Sequence, residues 1–202
     1  KISMLDEILK RGTLHCGLPF ANTYGFLQQA NEGDDVWTGF DVELCKAISA
    51  AIFGTPNFVP IVMDTADERW SLLASRDVDV VMRSTHTLER DVYVEQTAAA
   101  AAVLDPDGKL TSAGGTGFEF SPVYFYDGVV FGGLPPFATT CAETLNTTSV
   151  VCESLRICAV NGTTHLQAVR EMFDERHIRP QPNVGSLYAA LQDETCNVIA
   201  WE

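Results

Sequence analysis

The strongest periodic pattern in the chain lies between residues 37 and 54 and has the spacing of a helix. Apolar and small side chains recur there every three or four positions, so they fall on one helical face. Asp41 stands where an N-cap is expected, and Gly54 supplies a stop signal. The face of this predicted helix is formed by Val42, Cys45, Ile48, Ser49 and Ile52.

Short apolar runs bounded by turn residues surround this helix. They predict strands over residues 12–18, 58–63 and 78–82, with a second helix over 68–76 between the last two. A short amphipathic helix over 4–10 comes before them. Because strands and helices alternate, the pattern predicts a parallel sheet flanked by helices.

A less regular region follows. Residues 94–120 combine an alanine run with Gly, Ser, Thr and Asp, which is typical of a partly disordered surface insertion. Residues 121–133 are rich in aromatic side chains and predict an extended strand that ends in turn residues. We expect this strand to join the first α/β unit to the remainder of the chain.

The remainder of the chain repeats the alternation of strands and helices. Strands are predicted over residues 155–160 and 197–201, and helices over 165–177 and 186–194. The sequence therefore predicts two α/β units joined by an extended aromatic strand.

Composition and charge narrow the classes of function. The chain has 202 residues and a net charge of −14, with a mean hydropathy of +0.05 and a pI of about 4.5. A surface this acidic repels phosphate backbones, which argues against nucleic acid as a partner. No run reaches the roughly 18 apolar residues of a membrane helix. The chain starts at Lys1 without a signal sequence or an initiator Met, so we expect a mature, trimmed or partial chain.

Cysteine usage points to an oxidising compartment. Six cysteines are many for a cytosolic chain of this size, and none stands in C-x-x-C spacing. The even count favours disulfides over a zinc site, with six reduced and buried thiols as the alternative. Two N-x-T sequons, at Asn146 and Asn161, agree with a secretory route.

Three segments follow predicted strands, which is where ligands bind in two-lobe α/β proteins. After the strand through Val81, Thr85 offers a hydroxyl and an N–H, and Arg90 offers a planar fork for a carboxylate. Residues 162–164 offer backbone N–H groups at a helix start, and Glu202 offers a carboxylate for an ammonium group. The alternatives are an ordinary helix start with a solvated arginine, an N-cap without a ligand, and a terminal glutamate without a role.

Two sites for a carboxylate and one for an amine outline an α-amino acid. At this point the chain resembles the type II solute-binding proteins for polar amino acids, and in particular their general L-amino-acid-binding subgroup. The resemblance covers most of the chain, and its most specific part is the helix of residues 37–54. It is carried, in order, by GTLHCG, WTGFDVELCKAISAAIFG, DVDVVMRSTHTLERD, YFYDGVVF and ICAVNGTTHL.

The resemblance implies a role for the candidate residues. Arg90 would bind the α-carboxylate of the ligand, helped by the N–H groups of Thr85 and of Thr163 or Thr164. Arg83, at the start of the same loop, would belong to the site.

The remaining site residues are implied in the same way. Glu202, or an acidic residue near its position, would bind the α-amino group. The side chain of the ligand would be covered by an aromatic residue of the first loop, from the set Phe20, Tyr24 and Phe26.

The resemblance also implies a two-lobe, periplasmic-binding-protein-like fold of type II, in which each lobe is a mostly parallel sheet flanked by helices. Lobe 1 would span residues 1–125 with the insertion at about 94–120, a hinge strand 126–133, and lobe 2 134–202. Three departures stand out. The insertion has no counterpart in the family, the loop of residues 83–90 is one residue shorter, and the chain stops where the family crosses back to lobe 1. We therefore expect a C-terminally incomplete member.

Cysteine pairing is likewise implied by the resemblance. The family often pairs cysteines at the positions of Cys158 and Cys196, within the second lobe. Cys16 and Cys45 also fall at family positions, which leaves a short local loop closed by the remaining pair, Cys141 and Cys152.

The implied function is non-enzymatic binding of a polar L-amino acid outside the cytoplasm, for a membrane transporter or a receptor, without a cofactor. No Cys/His spacing supports a metal site at His86 and His165. One alternative is a degenerate scaffold subunit that binds nothing. Another is a dehydratase or a peptidoglycan-cleaving enzyme on the same fold, although no acid–base pair or activated nucleophile is evident. Because a glycan on Asn161 would compete with the ligand, Asn146 is the predicted glycosylation site.

Overall fold

The computed structural model describes residues 3–19, 23–31, 36–85 and 119–201, together with two short strands, 103–104 and 110–111. The chain divides into two compact units. The first consists of Lys1–Met63 and Asp67–Tyr124, and the second of Asp64–Ala66 and Phe125–Glu202. Within the described ranges, no helix has both the length and the apolar character needed to cross a bilayer.

The first unit contains three helices of eight residues or more and several short strands in its described part. Its elements are α1 (Met4–Arg11), β1 (Leu14–Pro19), β2 (Gln28–Gln29), β3 (Trp37–Thr38), α2 (Phe40–Phe53), β4 (Phe58–Met63), α3 (Glu68–Ser75), β5 (Val80–Val81), β6 (Val103–Leu104) and β7 (Leu110–Thr111).

The main sheet of this unit has the strand order β4-β1-β5, and both pairings are parallel. Helices α2 and α3 follow β1 and β4 in the chain, which confirms the predicted alternation around a parallel sheet. Strands β2 and β3 pair as a small antiparallel ribbon, as do β6 and β7 within the predicted insertion.

One buried core cluster of the first unit lies between β1 and α2. The disulfide between Cys16 and Cys45 joins the two elements and is fully buried. Leu18, Leu27 and Val42 pack around it. The apolar face that the sequence predicted for α2 is therefore the face that covers the sheet.

The predicted N-cap of α2 is wrong. The cap is Gly39, whose φ of 124° is favourable only for glycine. A Cβ at this position would collide with the carbonyl of Phe26. Asp41 instead lies in the first helical turn, fully buried, and its N–H donates to the Phe26 carbonyl at 3.2 Å. The helix therefore starts two residues earlier than predicted, because the backbone of Gly39 packs tightly against that of Phe26 in the preceding loop.

The second unit combines two regular helices with a four-stranded sheet. Its elements are β8 (Val130–Gly133), a π-helix (Phe137–Ala142), a 3₁₀ helix (Val150–Ser154), β9 (Ile157–Val160), α4 (Thr164–Met172), a 3₁₀ turn (Glu175–His177), β10 (Ile178–Gln181), α5 (Val184–Gln192) and β11 (Val198–Trp201).

Strand order in this sheet is β10-β9-β11-β8. Strands β10, β9 and β11 are parallel, and β8 is antiparallel at the edge. The core packs α4 and the π-helix against the sheet. Two buried disulfides, Cys141–Cys152 and Cys158–Cys196, lie within this unit, so all three predicted pairings are present.

Two predicted elements of this unit are wrong in extent. The aromatic strand predicted over residues 121–133 is regular only over Val130–Gly133. The residues before it have no regular secondary structure and are mostly exposed, Tyr126 being 88% exposed. The predicted helix 165–177 ends at Met172, because the chain becomes extended at Phe173.

Strand β10 was not predicted from the sequence. Its residues Ile178–Gln181 contain Pro180, which lacks a backbone N–H and therefore suits an edge strand. In the structure β10 is indeed at the edge and pairs with β9.

Candidate functional site

In the first unit, the candidate site is the loop that leaves the carboxyl end of β5. Strands β1 and β5 are parallel neighbours, so Pro19 and the loop of residues 82–85 lie at the same edge of the sheet. Thr85, predicted to bind the ligand, is exposed in this loop. Arg83 takes a left-handed backbone conformation with a φ of 50°, which is uncommon for a residue with a side chain.

The guanidinium of Arg83 points into the first unit. Its Nη2 donates to the carbonyl of Pro19, and its Nε lies 3.4 Å from Oδ2 of Asp41. Its Cζ also lies 5.2 Å from the ring centroid of Phe26, within cation–π range. The side chain of Arg83 is only 10% exposed.

Asp41 is the buried partner of Arg83. Its side chain is fully buried, and neither carboxylate oxygen accepts a hydrogen bond within the described part of the chain. The contact with Arg83 is therefore electrostatic rather than a well-aligned hydrogen bond. Burial raises the pKa of the Asp41 carboxyl to about 6, and the Arg83 charge opposes that rise.

Aromatic side chains border this pair. Phe26 is half-buried and meets the ring of Phe40 edge-on at 6.1 Å. Phe40 in turn lies 6.0 Å from the ring of Tyr124. Tyr24, another predicted ligand-covering residue, is 88% exposed.

In the second unit, the candidate site is the turn between β9 and α4. Asn161 is exposed, Gly162 has a left-handed φ of 70°, and Thr163 is the N-cap of the helix. The hydroxyl of Thr163 donates to the Val160 carbonyl at 2.6 Å and accepts from the Leu166 N–H at 3.3 Å. The side chain of Thr163 is thus used by the fold, and the turn can offer backbone N–H groups and the helix dipole to an anion.

The end of β11 lies beside the same turn. Strands β9 and β11 are parallel neighbours, and the ring of His165 lies 5.3 Å from the ring of Trp201. The carboxyl ends of both strands therefore meet at one edge of the second sheet, with Thr164 at the first position of α4. No group of three or more His, Cys, Asp or Glu side chains in the described ranges is arranged to hold a metal ion.

The sequence of the chain is similar to those of known bacterial binding proteins. No protein-family model matches the chain. Over 200 residues it is 28% identical to the general L-amino acid-binding periplasmic protein AapJ of Rhizobium johnstonii, which covers 96% of this chain and 49% of AapJ. Over 181 residues it is 35% identical to the glutamate/glutamine/aspartate/asparagine-binding protein BztA of Rhodobacter capsulatus, which covers 89% of this chain and 44% of BztA.

The chain is related to amino-acid-binding periplasmic proteins. This relation confirms the resemblance seen in the sequence. The chain spans about half the length of these two relatives.

A solved structure supports the same relation at the level of the fold. The ancestral amino acid-binding protein AncCDT-1, described as a precursor of cyclohexadienyl dehydratase, matches with a TM-score of 0.70 at 22% identity. The match covers 98% of this chain and 74% of that protein. The predicted α/β fold class of the periplasmic binding proteins is thereby confirmed.

The structure describes some of the predicted site residues and not others. Thr85, Arg83, Tyr24 and Phe26 belong to the first unit, and the pair at 163–164 to the second. Three further predicted residues lie outside the described residues: Phe20, Arg90 and Glu202.

Sequence reasoning missed two residues of the first unit. One is Asp41, the predicted cap, whose position between Phe40 and Val42 is a signal of burial. The other is Tyr124, which belongs to no recognisable motif. Its hydroxyl accepts a hydrogen bond from the Arg83 N–H at 2.6 Å.

Proposed function

We propose that the protein binds a polar L-amino acid outside the cytoplasm and supplies it to a membrane transporter or a sensing receptor. The observation that carries this proposal is the 35% identity to BztA over 89% of the chain, since BztA is named for binding glutamate, glutamine, aspartate and asparagine. AapJ, a general L-amino acid-binding periplasmic protein, points to the same class of ligand and compartment.

Each unit, taken by itself, offers donors that suit the carboxylate of an amino acid. Arg90 supplies the bidentate fork, and the N–H group of Thr85 adds a donor from the loop after β5. The N–H groups of Thr163 and Thr164 would donate to the carboxylate at the start of α4, where the helix dipole favours negative charge. This pattern of donors suits an α-carboxylate.

The other end of the ligand is assigned by the same proposal. Glu202 follows β11 and would hold the α-amino group. Phe26, half-buried beside Arg83, would cover the ligand side chain, with Phe20 and Tyr24 as the other candidates.

We propose binding without catalysis. The relatives AapJ and BztA are named as binding proteins. The described link to cyclohexadienyl dehydratase comes from a protein only 22% identical, which supports a shared fold and no shared reaction.

Isothermal titration of the full-length protein against the twenty L-amino acids tests the proposal. We expect micromolar or tighter binding of at least one polar amino acid, on the order of 8 kcal/mol of binding free energy. If no amino acid binds, the protein is better described as a scaffold that has lost its ligand.

The assignment of Arg90 is tested in the same assay. We expect Arg90→Ala to weaken binding by several kcal/mol, because a buried carboxylate would lose its main partner. Arg90→Lys should also weaken binding, since one ammonium cannot replace the fork.

Arg170→Ala is the matched control, because Arg170 is an exposed arginine of α4 that pairs with Glu175 at the surface. Unchanged affinity in both Arg90 variants would remove Arg90 from the site.

A further inference from the structure

We propose that Asp41 and Arg83 form a positioning pair that fixes the loop of residues 82–85, and that Arg83 serves the site through this loop rather than by touching the ligand. The role of Arg83 at the site rests on the proposed function, whereas the contact between Asp41 and Arg83 belongs to the fold of the first unit alone.

Arg83 is a junction of four parts of the first unit. Its guanidinium meets the end of β1 at the Pro19 carbonyl and the start of α2 at Asp41. Its backbone carbonyl accepts from Nη1 of Arg69 in α3 at 3.3 Å. Its backbone N–H donates to the Tyr124 hydroxyl at 2.6 Å. The loop is therefore held on both sides of its strained residue.

Strain makes these contacts necessary. A side-chain-bearing residue in the left-handed region is unfavourable, and it persists where surrounding contacts over-determine it. Arg83 has a φ of 50°, and both of its backbone polar groups are bonded to other elements. The next residues, Ser84 and Thr85, take their direction from this residue.

Burial argues for positioning and against direct ligand contact. The side chain of Arg83 is 10% exposed and that of Asp41 is fully buried. One face of the guanidinium lies against the Phe26 ring, and its edge is turned toward Pro19 and Asp41. Little of the group is left for a ligand, whereas Thr85, two residues further along the loop, is exposed.

Asp41 holds the guanidinium in this orientation. It lies at the second position of α2, where the dipole of the helix favours negative charge. The N–H of Asp41 donates to the Phe26 carbonyl at 3.2 Å, so the residues that supply the carboxylate and the aromatic ring beside Arg83 are joined through their backbones. Removing the charge should release the arginine, and with it the loop.

The test uses the full-length protein and three variants: Asp41→Asn, Arg83→Lys and Tyr124→Phe. Glu43→Gln is the matched control, because Glu43 lies on the same helix but is exposed and pairs with Lys46. Hydrogen exchange of the peptide that contains residues 82–85 is compared with that of β1 in the same sample. Affinity for L-glutamate and L-glutamine is measured in parallel.

We expect Asp41→Asn and Arg83→Lys to speed exchange in residues 82–85 by about tenfold or more, with β1 and the control nearly unchanged. Binding of L-glutamate or L-glutamine should weaken in the same variants by about tenfold. Tyr124→Phe removes one acceptor from an exposed side chain and should speed exchange in the same peptide without global loss of protection.

Several outcomes would overturn the positioning pair. Loss of affinity in Arg83→Lys with unchanged loop exchange would mean that Arg83 touches the ligand. Unchanged loop exchange in Tyr124→Phe would also reject the junction, even if the Asp41 variant failed to fold. If the wild-type protein binds none of the twenty amino acids while the variants free the loop, the proposed function fails and the positioning of the loop stands.

Discussion

At the scale of the residue, Asp41 has a measurable signature in the pH dependence of stability. Burial raises the pKa of its carboxyl from 3.8 to about 6 in the folded state. The folded protein therefore holds this proton more tightly than the unfolded chain does. The stability that protonated Asp41 contributes to the folded state is fully present below about pH 4 and is lost as the pH rises through about 6.

The corresponding prediction compares Asp41→Asn with the wild type. Asparagine carries no charge at any pH, so the free energy of unfolding of the variant should rise relative to wild type between pH 4 and pH 7. The change should be on the order of 2–3 kcal/mol, from about 1.4 kcal/mol per pKa unit. Urea unfolding at several pH values measures it. A difference that stays constant with pH would mean that Asp41 titrates normally.

The two sequons differ in the exposure of their asparagine and threonine residues. Asn146 is half-buried, and its amide oxygen accepts from the N–H and the hydroxyl of Thr148, at 3.1 and 3.3 Å, while Thr148 is exposed. At the other sequon Asn161 is exposed, but the Thr163 hydroxyl is buried and bonded within the turn. Because a transferase must reach both the Asn and the Thr of a sequon, the folded structure favours Asn146.

Glycosylation remains a prediction that mass spectrometry can test. After expression in a eukaryotic secretory host, we expect glycan on Asn146 and none on Asn161. Thr148→Ala should abolish the modification, and Thr163→Ala is the matched control. Glycan found on Asn161 would argue against an amino-acid site at the turn between β9 and α4.

At the scale of the element, the start of α2 depends on a glycine. A side chain at Gly39 would collide with the backbone of Phe26, and the φ of 124° is unfavourable for any residue with a Cβ. We expect Gly39→Ala to lower the free energy of unfolding by more than about 3 kcal/mol.

Gly54 gives the control at the other end of the same helix. It also has a left-handed φ, of 79°, but a Cβ there would meet nothing within 4 Å. Gly54→Ala should therefore cost about 1 kcal/mol, from backbone strain alone. Chemical denaturation of both variants separates the two effects. Equal losses would mean that strain, and not the contact with Phe26, makes Gly39 necessary.

The same helix shows what a sequence can and cannot predict. Its apolar face was visible because buried side chains repeat at the helical spacing over 14 residues. The point where the helix begins was not visible in the sequence, because the cap residue Gly39 is required by a close contact with the backbone of Phe26. Strand β10 was missed for a related reason: with Arg179, Pro180 and Gln181 in four residues, it lacks an apolar pattern, and its pairing with β9 defines it.

The candidate site was likewise predictable from the sequence only in part. The turns after β5 and β9 could be located because they follow apolar strands in an alternating pattern. The use of Arg83 could not, because a guanidinium looks the same in a sequence whether it faces a ligand or a buried carboxylate. Only the positions of Asp41 and Tyr124 in the folded unit distinguish the two.

At the scale of the whole molecule, each disulfide is confined to one unit. Cys16–Cys45 closes a loop of 29 residues in the first unit, and Cys158–Cys196 closes one of 38 residues in the second. Loops of this length stabilise a fold by about 3–4 kcal/mol in the chain-entropy description. Each unit also has its own buried core. The stabilisation from each cross-link should therefore remain within its own unit.

Tryptophan fluorescence can test this because the three tryptophans divide between the units. Trp37 and Trp70 lie in the first unit and Trp201 in the second. We expect the Cys16→Ser/Cys45→Ser variant to shift the denaturant transition reported by Trp37 and Trp70 by about 3–4 kcal/mol, and to leave that of Trp201 nearly in place. The Cys158→Ser/Cys196→Ser variant should do the reverse. Equal shifts of both signals in either variant would mean that the units unfold as one cooperative body, and that a cross-link in one unit stabilises the other.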